Sequence, residues 1–242
     1  MNQMRPQFAF ERPPPLTLAW MVALFVLTTL IAGLSPSPTA ATIAENIAFS
    51  PQGVLEHFRV WTMVTFPLVD APSWIGVLIS MLMLYWFAAP LESRWGQQRF
   101  GLFVVLTSLA ASGSVLLVSL ATPFAVTPTV RSIITAFIFA WGLTFRTREL
   151  YLFFFLRIRG IQMVWLGVAF ILLDAVYDGW QLVVPRTAAA LMATALVLGL
   201  FKPNVVKLWW DWLLVKLRIR KPPKLTLVPP PSSAKPSKYD IN

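Results

Sequence analysis

The chain has 242 residues, 57% of them hydrophobic and 12% charged, with a mean hydropathy of +0.68. This composition excludes a soluble domain and points to a bilayer, where backbone groups find no water and must pair inside helices. With no cysteine, disulfides, thiolate metal sites and cysteine catalysis are excluded, and no metal or cofactor is expected.

Residues 1–15 read as a cytoplasmic arm that Pro13, Pro14 and Pro15 stiffen. Leu16 to Leu34 then runs for 19 residues without a charge, close to the roughly 20 that cross a hydrocarbon core of about 30 Å. It is longer than a signal-peptide core and is expected to be retained. Residues 35–73 form the longest connection, 39 residues in which Ile43, Ile47, Val54, Leu55, Phe58, Trp61, Met63 and Phe66 recur. A loop so apolar is expected to lie in the membrane interface.

Further spans are expected at Trp74 to Leu91, Phe100 to Ala121, about Pro128 to Phe145, about Ile161 to Val176 and about Val183 to Phe201. Arg131 near the start of the fourth and Asp174 near the end of the fifth are read as snorkelling end residues. Between the fourth and fifth, the aromatic block Tyr151 to Phe155 is flanked by arginines and too short to span. It is expected to lie along the inner leaflet.

Residues 16–201 are thus read as one six-helix membrane domain. Residues 202–221 mix Trp209, Trp210 and Trp212 with Lys216, Arg218 and Arg220, the pattern of a basic amphipathic segment at a membrane surface. Residues 222–242 are read as a disordered, proline-rich cytoplasmic tail, with a soluble partner for it left open. Six spans put both termini on one side, where seventeen of the twenty Lys and Arg fall, against Arg59, Arg131 and Arg186 opposite. That asymmetry assigns both termini to the cytoplasm. The +10 charge is then a topology signal, and nucleic acid is not an expected partner.

The charged island YWFAAPLESRWGQQRF at 85–100 stands between two apolar runs. Trp61 and Thr65 in the first loop, then Leu91-Glu92 with Arg94, Gly96, Arg99 and Phe100, resemble the pattern of the rhomboid family of intramembrane proteases. Glu92 is placed to satisfy free backbone donors or to pair with Arg94 or Arg99, and Gly96 permits a turn that a side chain would penalise. The resemblance covers about residues 16–201. It implies an all-α, six-transmembrane-helix rhomboid-like bundle with a long interfacial first loop, in a bacterial inner membrane.

The family's active site does not carry over. Its oxyanion donors fall on Gly76 and Ser80, its serine on Thr135 or, in another register, Ser132, and its histidine on Thr187. The sole histidine, His57, lies in the first loop, and a hydroxyl without a base is a weak nucleophile. Small residues at these positions suit close helix packing. The resemblance therefore implies a pseudoprotease that binds transmembrane segments of client proteins for retention, delivery, dislocation or quality control. The alternatives are a divergent protease using Ser132 or Thr135 and, less favoured, a transporter or channel component.

Overall fold

A computed structural model of the chain describes residues 12–70, 73–121, 127–152, 156–177 and 179–200. The expected segments 202–221 and 222–242, with Trp209, Trp210, Trp212, Lys216, Arg218 and Arg220, lie outside the described residues.

Helix α1 (Pro15–Leu34) is followed by the first loop, which holds three short helices, α2 (Pro38–Ile47), α3 (Pro51–Leu55) and α4 (Thr62–Thr65). Ser-Pro pairs start the first two: Ser37 and Ser50 accept the amide protons of Ala40 and Gly53, and Pro38 and Pro51 fill first-turn positions that need no donor. Two residues of the expected motif then staple the loop. The Trp61 indole donates to Asn46 O at 2.9 Å and the Thr65 hydroxyl to Ile47 O at 2.9 Å.

The second span runs as α5 (Trp74–Met83), a π turn (Leu84–Ala88) and α6 (Ala89–Trp95). Helices α7 (Gln97–Ala121), α8 (Val130–Thr144), α9 (Gly160–Tyr177) and α10 (Trp180–Val197) follow. Among the described residues, five helices are long and apolar enough to cross a membrane: Pro15–Leu34, Trp74–Trp95, Gln97–Ala121, Gly160–Tyr177 and Trp180–Val197. Helix α8, expected to be a full span, has only 15 residues, about 22 Å at roughly 1.5 Å per residue.

That short helix is the core of the bundle. Ile133, Ala136, Phe137, Ala140 and Trp141 are buried on it. Phe137 packs edge-on to Trp20 of α1 and stacks on Phe100 and Phe103 of α7, with ring centroids 5.6–5.8 Å apart. Successive neighbours link α1 to the second helix (α5 to α6), α6 to α7, α7 to α10 and α10 to α9. The ring does not close, since α5 and α9 each pack on α8 yet share no extended packing with each other.

The ends of the aromatic block form an antiparallel ladder, β1 (Glu149–Leu152) with β2 (Leu156–Arg159), pairing Glu149 with Arg159 and Tyr151 with Arg157. Phe153 to Phe155 lie outside the described residues. Bulky, β-favouring residues in short runs suit paired strands better than a short isolated helix. The fold is mostly helical, consistent with an all-α membrane protein, and carries this one short ladder among the described residues. The last expected span, from about Val183, is met by α10, which begins three residues earlier, at Trp180, and carries Pro185 and Arg186 within it.

Helices α8 and α9 meet where neither chain has a side chain. A Cβ on Gly142 would stand 2.6 Å from Gly160 O, and one on Gly160 would stand 2.1 Å from Phe145 O. Gly160→Ala is therefore expected to destabilise by at least about 2 kcal/mol, because backbone cannot retreat as a flexible side chain can. Gly113→Ala, where nothing lies within 4 Å, is expected to stay within about 1 kcal/mol of wild type. Thermal midpoints of the two variants in detergent check the difference.

Candidate functional site

In the first turn of α1, Pro15 has no amide proton, and Leu16 and Thr17 carry amide protons that the helix itself cannot use. Pro14, at the cap position, has no side-chain acceptor. The acceptor comes from far along the chain: Glu92, 2% exposed, takes Leu16 N–H on Oε1 at 3.0 Å and both Thr17 N–H and the Thr17 hydroxyl on Oε2 at 2.7 Å. A carboxylate at a helix N-terminus is also favoured by the helix dipole. Of the two roles expected for Glu92, the structure selects the backbone donors.

The arginines of the island act elsewhere. The Arg94 guanidinium lies over the Phe145 ring, 5.1 Å from its centroid, and Arg99 is exposed. Gly96 ends α6 at φ +82°, and its N–H closes on Glu92 O at 2.8 Å. That conformation is one which L residues avoid.

At the opposite end of the bundle, polar side chains sit inside the spans. Asp70, 9% exposed, accepts the Ser80 hydroxyl on Oδ2 at 2.5 Å, and its own N–H donates to Thr28 Oγ1 at 3.1 Å. The trio joins α1, the loop and α5. Sequence reasoning missed Asp70 because it stands in the loop, before the apolar run that identifies α5. Its only signal was an acid four residues ahead of a span.

Arg186 and Asp174 form an ion pair between α10 and α9, with Arg131 of α8 a neighbouring like charge. Read singly, Arg131 and Asp174 suit helix ends, and each does lie in an end turn of its helix. The packing of α10 against α9 supplies the partner, since it brings Arg186 to Asp174.

The positions matched to catalytic residues do not assemble into a relay. Thr135 donates to Arg131 O and Thr187 to Val183 O, each at 2.9 Å, the back-bonds a helix gives to any threonine. Ser132 is buried on α8, Gly76 receives the Ser73 cap at the start of α5, and Ser80 is bonded to Asp70. His57 is exposed in the first loop. Among the described residues no group of three or more His, Asp or Glu could hold a metal ion.

Removing the Glu92 carboxylate leaves two amide protons and a hydroxyl facing no acceptor. Glu92→Ala is expected to cost about 2–5 kcal/mol, and Glu92→Gln, which keeps an acceptor oxygen, is expected to cost clearly less. Denaturation of the purified protein in micelles, followed by tryptophan fluorescence, measures both.

The family described as eukaryotic integral membrane protein (DUF1751) matches residues 19–176. No curated protein matches the chain. The family match overturns two expectations. The family lies in the rhomboid-like superfamily, but the match is to DUF1751 and not to the rhomboid family, so the rhomboid resemblance is corrected. Of the residues that suggested it, Glu92 builds a helix cap and Gly96 a turn. The bacterial inner membrane likewise gives way to a eukaryotic membrane, since composition records a bilayer and not an organism. With residues 19–176 of 242 matched, the chain belongs to the eukaryotic integral membrane protein family DUF1751.

Proposed function

We propose that the protein is a non-catalytic membrane protein that receives a transmembrane segment of another membrane protein and retains, delivers or dislocates it. The observation that carries this reading is the open ring around α8. Helices α5 and α9 flank the opening without extended packing on one another. Each carries a stripe of exposed apolar residues, including Ile75, Leu78 and Ile79 on α5 and Trp165, Phe170 and Leu173 on α9. In lipid, helices associate through close packing and interhelical hydrogen bonds. A guest helix between α5 and α9 would pack on both and close the opening.

In this reading α8 counts as the sixth crossing, both termini are cytoplasmic, and residues 202–221 lie on the cytoplasmic membrane surface.

Photo-crosslinking residues placed at Leu78 and Phe170 in native membranes test the proposal. They are expected to yield adducts with other membrane proteins, while the same residue at Leu117 of α7 yields mainly lipid adducts. Protein adducts at equal yield from all three positions would sink the idea, as would none from Leu78 and Phe170. Ser132→Ala and Thr135→Ala are expected to leave adduct yields within about twofold of wild type, because neither hydroxyl has a base to activate it. Cleavage of a reconstituted transmembrane substrate that either variant abolishes would replace the proposal with a protease.

A further inference from the structure

The basic end of the bundle holds a groove unrelated to the opening between α5 and α9. It lies where α8 ends, the hairpin begins and α9 starts, encloses about 550 Å³, and is lined by Arg146, Thr147, Glu149, Arg159 and Ile161. Its walls are fixed by backbone bonds. Ile161 N–H donates to Arg146 O at 3.3 Å, Gly160 N–H to Arg148 O at 2.9 Å, and Arg148 N–H to Phe145 O at 3.0 Å. The Arg159 N–H is held by Gln162 Oε1 at 2.8 Å. Two arginines therefore face one groove from backbone that the hairpin and α9 hold in place.

The charges in and beside the groove favour an anion. Glu149 is the one acid among its lining residues, and the Arg159 Nε lies 3.8 Å from its Oε1. That contact leaves the two terminal nitrogens of Arg159 to other acceptors. Arg94 and Arg148 stand beside Phe145, which immediately precedes Arg146, with guanidinium carbons 5.1 and 5.5 Å from the ring centroid. A guanidinium stacked on a ring still presents its donors at its edge, and arginine forks fit phosphate oxygens bidentately.

Position decides which anion. Ile161, 38% exposed, lines the groove and is among the first residues of the span Gly160–Tyr177. A ligand with its anionic group between Arg146 and Arg159 would have its remainder beside an apolar helix. We propose that this groove binds the phosphate monoester of an anionic membrane lipid, its acyl chains running along α9.

The test uses the full chain reconstituted in nanodiscs of phosphatidylcholine with either phosphatidic acid or phosphatidylserine at matched charge, and reads retained lipid by native mass spectrometry. Phosphatidic acid is expected to be retained in preference. Arg146→Gln and Arg159→Gln are each expected to reduce its retention about fivefold. Arg146→Lys and Arg159→Lys, which keep charge without the fork, are expected to fall between. Arg99→Gln, an exposed arginine outside the groove, is expected to behave as wild type. Unchanged thermal midpoints would show that the variants are folded. Equal retention of the two lipids, or an Arg99→Gln loss equal to that of the groove variants, would overturn the proposal. Displacement of the lipid by low millimolar inorganic phosphate would keep the phosphate chemistry and reject a lipid as its carrier.

Discussion

The carboxylate of Glu92 fixes where the first span begins. A run of three prolines delivers the chain to α1 with no side chain able to cap it, so its first free amide protons depend on a residue 75 positions away. In water this would matter little, because solvent would cap the helix. Buried in a bundle it decides the register of α1, since sliding the helix by one residue would leave Thr17 facing apolar neighbours and Glu92 without donors.

The rest of α1 follows from that register. Its buried residues are Thr17, Trp20, Leu24 and Thr28, spaced by three, four and four, which is a single narrow stripe. Three of the four are tied by a hydrogen bond: Thr17 to Glu92, the Trp20 indole to Pro67 O at 3.0 Å, and Thr28 to the Asp70 N–H. Lipid is as apolar as leucine, so an apolar face gives α1 no preferred side. Polar contacts along its inner stripe supply the preference instead. The loop between Pro38 and Leu68 is held by the same helix, and Ser112 of α7 adds a bond to Met63 O at 3.2 Å.

What the sequence made legible follows the same division. Spans announce themselves by length and absence of charge, and the island announced itself because Glu, Arg and Gly are conspicuous between apolar runs. Pairings over long distances did not. Glu92 had two readings because its acceptor role depends on where α1 starts, and Asp70 had none because loop position gives no hint of burial. Arg186 was read only as an external-side charge because its partner, Asp174, stands on a different helix, and α10 carries it beside a proline in the second turn. The hairpin was hidden for a different reason, since Tyr151 to Phe155 is hydrophobic enough to suggest lipid and only its strand-favouring residues argue otherwise. The family assignment was misread because a cap and a turn are demands of helix geometry, shared by proteins with different work to do.

The two ends of the bundle use charge in opposite ways. At the end where α8 begins, the polar side chains bond one another across α1, α5, α9 and α10, as Asp70 does with Ser80 and Asp174 with Arg186. Groups satisfied internally hold helices at a set separation and leave little for a ligand. At the other end, Arg94 and Arg148 rest on an aromatic ring, and Arg159 meets its carboxylate at 3.8 Å with two-thirds of its side chain exposed. A loose ion pair at the surface contributes little stability, so stability does not account for gathering arginines there. Their arrangement around a groove beside the start of a span suits an anion at the membrane surface, whereas the paired charges at the far end suit a scaffold.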